Sequence, residues 1–187
     1  MINTIDTIVT AINAAPPRLG GVRLVAIDGP SGSGKSTFAR RLTARLHDAA
    51  LVSTDDFATW DDPVAWWPRL VEGVLDQLAA GRPGGYRAVE WVGGIPRPGP
   101  SRTVDVPEIL VLEGVSAGRV SIRPLLSALI WCEHADQAER LERAVARDGE
   151  ASRPHLVAWQ LFEQGWFAVD RTRRHADHVV DAALGSL

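Results

Sequence analysis

Among 187 residues the chain has one cysteine, Cys132, one tyrosine, Tyr86, and one lysine, Lys35. A lone cysteine excludes an internal disulfide and any cysteine-based zinc cluster. No apolar run approaches the ~18 residues that cross a bilayer. No basic residue precedes Arg18, so neither membrane insertion nor export is expected. There is no basic surplus either. A formal charge of −3 lacks the electrostatic footprint of a protein that holds a nucleic acid polymer. These absences predict a cytoplasmic, single-domain protein over residues 1–187, acting on something small or on a protein partner. Nothing in the sequence reports its oligomeric state.

What is present is an ordinary folded-domain balance, 45% apolar and 23% charged. The basic residues are 19 arginines and Lys35. A GC-rich codon bias accounts for the excess of arginine but not for where the one lysine stands. It lies inside Gly29-Pro30-Ser31-Gly32-Ser33-Gly34-Lys35-Ser36, which fits G-x-x-x-x-G-K-[ST] at every specified position. A compact ammonium and a guanidinium fork are not interchangeable between phosphate oxygens, so composition and motif support each other.

No internal repeat or low-complexity tract interrupts the chain. Ile2, Ile5, Ile8, Val9 and Ile12 recur at helical spacing, predicting an N-terminal helix within residues 1–17 that ends at Pro16-Pro17. Val22 to Ile27 reads as a buried strand feeding the glycine-rich string, and Phe38, Ala39, Leu42 and Leu46 mark a helix face after it. Leu51-Val52-Ser53 reads as a second strand and Val64 to Ala80 as a helix. Residues 81–107 are rich in glycine and proline and predict a long irregular segment, a feature that is often functional. Ile109 to Leu112 and Leu129 to Cys132 are two further strands. Ala135 to Arg147 and His155 to Val169 read as helices, and His178 to Val180 as a last short strand. Short apolar strands alternating with helices predict an α/β fold with a parallel sheet covered on both faces.

A strand, a glycine-rich turn and a helix beginning near Lys35 are the setting in which this motif binds phosphate. Loop N–H groups and the positive end of the helix converge on one anion-binding hollow. Gly29, Ser31, Gly32, Ser33, Gly34, Lys35, Ser36 and Thr37 are the candidate nucleotide-binding residues. Lys35 is expected at the β- and γ-phosphates and the Ser36 hydroxyl on Mg²⁺. Glu113 ends the apolar run Ile109-Leu110-Val111-Leu112, and an acid at that strand tip is the second candidate for the metal, as against a solvent-facing strand end. A guanine-specific switch would need an Asn-Lys-x-Asp element, which a chain with one lysine cannot supply. Transporter-type and AAA-type ATPases need more chain than this. A small ATP-dependent kinase remains.

Several segments together resemble the uridine kinase group of P-loop nucleoside kinases, a set that also takes in phosphoribulokinase and bacterial pantothenate kinase. They are Ile27-Asp28-Gly29-Pro30-Ser31-Gly32-Ser33-Gly34-Lys35-Ser36-Thr37, Ser53-Thr54-Asp55-Asp56-Phe57, Leu112-Glu113-Gly114 and Arg143-Ala144-Val145-Ala146-Arg147-Asp148. The resemblance covers about residues 22–182. It implies a P-loop NTPase fold with five parallel strands and a small arginine-bearing lid, here at 143–154. It also implies transfer of the γ-phosphoryl group from ATP·Mg²⁺ to a hydroxyl of a small molecule, most like uridine or cytidine.

The resemblance carries residue roles with it. Asp55 falls where the family has its general base, with Asp56 as the alternative; a carboxylate suffices because the acceptor proton leaves late in a dissociative transfer. Arg143 and Arg147, four apart on one predicted helix face, match lid arginines that close over phosphates. The plainer reading of that face is a solvated one, paired with Glu139 and Glu142. Phe57, Glu90, Trp91 and Arg153 are the implied acceptor-side residues beside Asp55. Here the sequence departs from the family, because a Tyr-Asp-Phe-like element reads Val89-Glu90-Trp91. The clustered Trp60, Trp66 and Trp67 and the loop residue Trp91 are candidates for stacking on a planar acceptor, whereas Trp131 and Trp159 read as core. Two alternatives stand beside the nucleoside reading: a P-loop kinase for a pantothenate-like or sugar acceptor, and an ATP-binding sensor without efficient chemistry.

Overall fold

A computed structural model describes residues 4–134 and 136–181 of the chain. Residues 1–3, with Ile2, and Ala135, the expected start of a helix, lie outside the described residues. Helix α1 (Ile5–Ala14) is capped by the Thr4 hydroxyl and buries Ile8 and Ile12. Strand β1 (Arg23–Asp28) runs into the glycine-rich turn and helix α2 (Lys35–Thr43). Strand β2 (Ala49–Ser53) leads to a single 3₁₀ turn at Thr54–Asp56. The helix expected over 64–80 is shorter and irregular. It comprises α3 (Trp67–Leu70), one π turn at Val71–Leu75, and α4 (Asp76–Ala79).

Residues 81–107 are not the irregular segment that their composition predicts. Strands β3 (Gly84–Val92) and β4 (Ile95–Val104) pair antiparallel as a hairpin of their own, closed by Gly93-Gly94. Both glycines have positive φ, 58° and 75°, which is what a two-residue turn matching strand twist requires. Pro96, Pro98 and Pro100 are tolerated because β4 pairs on one side only, so the missing N–H groups interrupt no second ladder. Edge-strand prolines and loop prolines have the same composition, so the sequence carries no sign of this hairpin.

Strands β5 (Ile109–Glu113), β6 (Leu126–Glu133) and β7 (His178–Asp181) complete a five-stranded parallel sheet in the order β2-β5-β1-β6-β7. Alternate residues of the central strands feed two cores. Leu24, Ala26, Leu110 and Leu112 face Trp66, Trp67, Leu70 and Leu75 on one side. Val25, Ile27, Ile109 and Val111 face Ile8, Ile12, Ala39 and Leu42 on the other. Burial on both faces is why these strands are continuously apolar. Helices α5 (Gln137–Asp148) and α6 (Arg153–Asp170) form a hairpin with a small cluster of its own, Ala144, Val145 and Leu156. Among the described residues no helix is long and apolar enough to cross a membrane.

Candidate active site

The register of the sheet gathers the chemistry at one edge. Ile27 of β1 and Ser53 of β2 both stand opposite Glu113 of β5, and the glycine-rich turn leaves β1 one residue later. Parallel strands β1 and β2 on either side of β5 therefore bring an acid, a hydroxyl and the glycine-rich turn to the same rim. A cavity of about 850 Å³ opens there.

The cradle is built by close backbone packing. A Cβ on Gly32 would stand 2.4 Å from the Arg140 carbonyl oxygen of α5, so the loop can lie against that helix only as glycine. Gly34 caps α2 without a side-chain hydrogen bond, leaving the first-turn N–H groups of the helix to face the cavity rim. Gly32, Gly34, Lys35, Ser36 and Thr37 line the cavity. Gly29 and Ser33, expected with them, do not. The Gly29 N–H donates to Asp28 Oδ1 at 2.7 Å, and Ser33 is buried with its hydroxyl unpartnered. Ser31 lines the cavity, but its N–H donates to Glu163, at 2.9 and 3.1 Å from the two carboxylate oxygens, so that amide is spent within the protein. Lys35 Nζ donates to the Pro30 carbonyl at 2.9 Å.

Glu113 is 4% exposed and accepts from Ser53 Oγ at 2.8 Å and Ser36 Oγ at 3.3 Å. Burial pushes its carboxyl pKa up, Asp55 adds to that, and Lys35 with the two hydroxyls opposes it. A hydroxyl and a carboxylate in contact are hard oxygen donors, which suit a magnesium ion that keeps waters and phosphate oxygens as its other ligands. Asp28, fully buried, accepts from the Gly29, Ser116 and Gly118 N–H groups and so ties the P-loop to the loop after β5. Burial raises its pKa to about 7, against the pull of the Gly118 and Gly29 N–H groups and Lys35.

The structure separates the two neighbouring aspartates. Asp55 is exposed on the cavity wall, its N–H donating to Ser53 Oγ at 3.3 Å and its carbonyl accepting from the Trp91 indole at 3.2 Å. Asp56 is turned away: it accepts from the Tyr86 hydroxyl at 2.6 Å and pairs with Arg102 at 3.6 Å, fastening the β3–β4 hairpin. Phe57 does not reach the cavity. It is fully buried and stacks on Tyr86 and Trp66 with centroids 4.5 and 5.3 Å away, so the acceptor-side expectation for it gives way to packing.

Facing the phosphate half is an aromatic wall. Trp60 stacks on His155 at 5.0 Å and meets the edges of Trp91 at 4.8 Å and Trp159 at 6.0 Å. Its indole N–H donates to the Gly94 carbonyl at the hairpin tip, 2.8 Å away. Trp66 and Trp67, expected beside an acceptor, are core residues at 2% and 4% exposure. Trp159, expected in the core, is half-buried against it and also lines the cavity with Leu156. Glu90 is exposed on β3 outside the cavity lining while its neighbour Trp91 is within it, because alternate residues of a strand face opposite ways.

Arg143 and Arg147 line the cavity. Arg143 pairs with Glu139 at 2.6 Å, and Arg147 pairs through two bonds of 2.6 Å with Asp148. Those bonds, then the fields of Asp55 and Glu113, push the Arg147 pKa up and keep it charged. Arg153 does not reach the cavity; Glu142 and Glu150 clamp it on the outer surface. Sequence reasoning missed Ser53, Arg40, Leu156 and Glu163. Ser53 stood inside a quoted segment but had no chemical signal of its own, and the others have no local pattern at all.

No family model matches the chain. Two curated proteins of Arabidopsis thaliana, the inorganic pyrophosphatases TTM2 and TTM1, align at 28% identity over 162 residues and 26% over 166, each covering 76% of this chain. The chain spans about a quarter of the length of these relatives, 23% and 24%. Among solved structures, one described as a possible uridine kinase from Bacillus stearothermophilus superposes with a TM-score of 0.69 at 19% identity, over 95% of this chain and 97% of that one. The two chains share an α/β P-loop fold. A second structure with this fold, a candidate fructose transport system kinase from Silicibacter sp. TM1040, has a TM-score of 0.62 at 21% identity and covers 96% and 98% of the two chains.

Proposed function

We propose that the chain is an ATP·Mg²⁺-dependent phosphotransferase that moves the γ-phosphoryl group to a hydroxyl of a small molecule, with a nucleoside as the first choice of acceptor. The observation that carries this is the sharing of one cavity by Lys35, Ser36 and Glu113 on one side and the free carboxylate of Asp55 on the other. A nucleotide-binding sensor has no use for that last group. The kinase descriptions of the two superposed structures support the same reading.

In this mechanism the amides of Gly32 and of Gly34 to Thr37 hold the phosphates, and Lys35 leaves the Pro30 carbonyl to reach the β- and γ-oxygens. Ser36 and Glu113 would hold Mg²⁺, which when bound neutralises charge on the phosphate oxygens. Asp55 orients the acceptor hydroxyl in line and takes its proton. Arg147 exchanges Asp148 for the transferring group and offsets the charge that builds there. Trp60 and Trp91 offer ring faces or edges to a planar acceptor.

A second reading follows from the names of the curated relatives, hydrolysis of inorganic pyrophosphate. The test is ADP formation against uridine, cytidine, pantothenate and simple sugars, run beside phosphate release from pyrophosphate. Acceptor-dependent ADP is the expected result. Phosphate release from pyrophosphate with no acceptor-dependent ADP would replace the kinase by the hydrolase.

A further inference from the structure

Glu163 lies on α6, far from every sequence motif, and is 2% exposed. A buried carboxylate is stable only if donors replace the water it has lost. The Ser31 N–H donates to it, at 2.9 and 3.1 Å from the two oxygens, and the Ser31 hydroxyl and the Trp159 side chain lie near enough to favour its charged form. Burial pushes its pKa up, and the nearby Lys35 charge opposes this.

The geometry around Ser31 gives these bonds a purpose. The Ser31 N–H and the Pro30 carbonyl belong to one peptide unit. Lys35 Nζ grips the carbonyl end at 2.9 Å, and the Ser33 N–H bonds the same oxygen at 3.2 Å. Glu163 grips the N–H end. When Lys35 turns to the phosphates it releases the carbonyl, and the anchor at the N–H end then carries more of the task of holding that plane. Glu163 shares a face of α6 with Leu156 and Trp159, both on the cavity wall, so the anchor also fixes that wall against the P-loop.

We infer that Glu163 is a positioning residue of the phosphate site, acting as a hydrogen-bond acceptor that holds the Pro30–Ser31 peptide to α6 while Lys35 engages phosphate. This rests on the nucleotide-binding reading above.

Two mild variants separate reach from charge. Glu163→Gln keeps the acceptor oxygen at its distance and removes the charge. Glu163→Asp keeps the charge and withdraws the carboxylate by about 1.5 Å, one carbon–carbon bond. Hydrogen exchange of the residue 29–36 amides is measured on the unliganded proteins, and ATP affinity by calorimetry. The Gln variant is expected within about threefold of wild type in both. The Asp variant is expected to exchange faster and to bind ATP at least about tenfold more weakly, the scale of one lost bond to a charged group. Wild-type behaviour of the Asp variant, or a Gln variant as impaired as the Asp variant, overturns the inference. If wild type binds no ATP while the exchange order stands, the nucleotide reading fails and the anchor remains.

Discussion

The two halves of the cleft are built in opposite ways. The phosphate half comes from one run of chain, Gly29 to Thr37, plus Glu113 and Ser53 in register beside it. The aromatic half, the proposed acceptor side, is assembled from three separated stretches: Asp55 to Trp60 after β2, the hairpin tip at Trp91 to Gly94, and Leu156 to Trp159 on α6. The first half is mostly backbone and polar, the second mostly aromatic surface held by side-chain contacts. A backbone cradle admits one kind of ligand, because its donors are set by turn geometry. A wall of rings from three elements can be re-cut by single substitutions without loss of the fold. Substitutions in the two halves should therefore differ in kind.

The largest effect is expected at Lys35. Lys35→Ala should abolish turnover and weaken ATP binding, and Lys35→Arg should fail too, since a planar fork does not fit the cradle. Calorimetry giving unchanged ATP affinity in both variants would break the assignment of this half. Next comes Asp55, at the seam. Asp55→Asn should lower kcat by at least ~10²-fold with ATP affinity within a few-fold of wild type. Asp56→Asn should instead lower thermal stability, because it weakens the Tyr86 and Arg102 contacts that fasten the hairpin. Steady-state kinetics and thermal denaturation of the pair test whether adjacent acids divide chemistry from structure.

Within the acceptor half, Trp91→Ala and Trp60→Ala should raise the acceptor KM by about 5- to 150-fold, the range of ~1–3 kcal/mol for a lost base–aromatic stack. ATP binding should stay nearly unchanged. An equal loss of ATP affinity would erase the distinction between the halves. A separate effect, on stability and not on activity, is expected with pH. Asp28 is held near 7 against an ordinary 3.8, so the folded chain keeps a proton that the unfolded chain gives up. The unfolding free energy should therefore fall as pH rises from about 4 to about 7, by at most about 1.4 kcal/mol per unit from this group. Urea titrations across that range should show the slope in wild type and its loss in Asp28→Asn.

The contrast between the halves is also a contrast in what could be read from the chain. Strand positions were legible because residues buried on both sheet faces must be continuously apolar. That Lys35, Ser36 and Glu113 share one cavity was legible because the G-x-x-x-x-G-K-[ST] spacing and the strand tip set their places. The β3–β4 hairpin was not, since prolines unpaired on one edge have the composition of a loop. Nor were the places of the tryptophans. Trp66 and Trp159 each carry the same large ring, and only the path of the chain sends one into the core and the other to the cavity.

By itself, then, the amino-acid order determined an α/β chain with a glycine-rich turn between its first strand and the helix after it, because those features depend on near neighbours in the chain. The tertiary structure alone decided that Asp55 stands exposed on the cavity wall while Asp56 is engaged by Tyr86. It decided that Phe57 packs inside and that Arg153 is held outside by Glu142 and Glu150. It also brought Glu163, 132 positions along the chain from Ser31, onto the P-loop. The first two depend on how the β3–β4 hairpin packs on the chain after β2, the third on how α5 turns into α6, and the last on how α6 meets the glycine-rich turn. Contacts between segments so far apart leave no spacing in the sequence to be read.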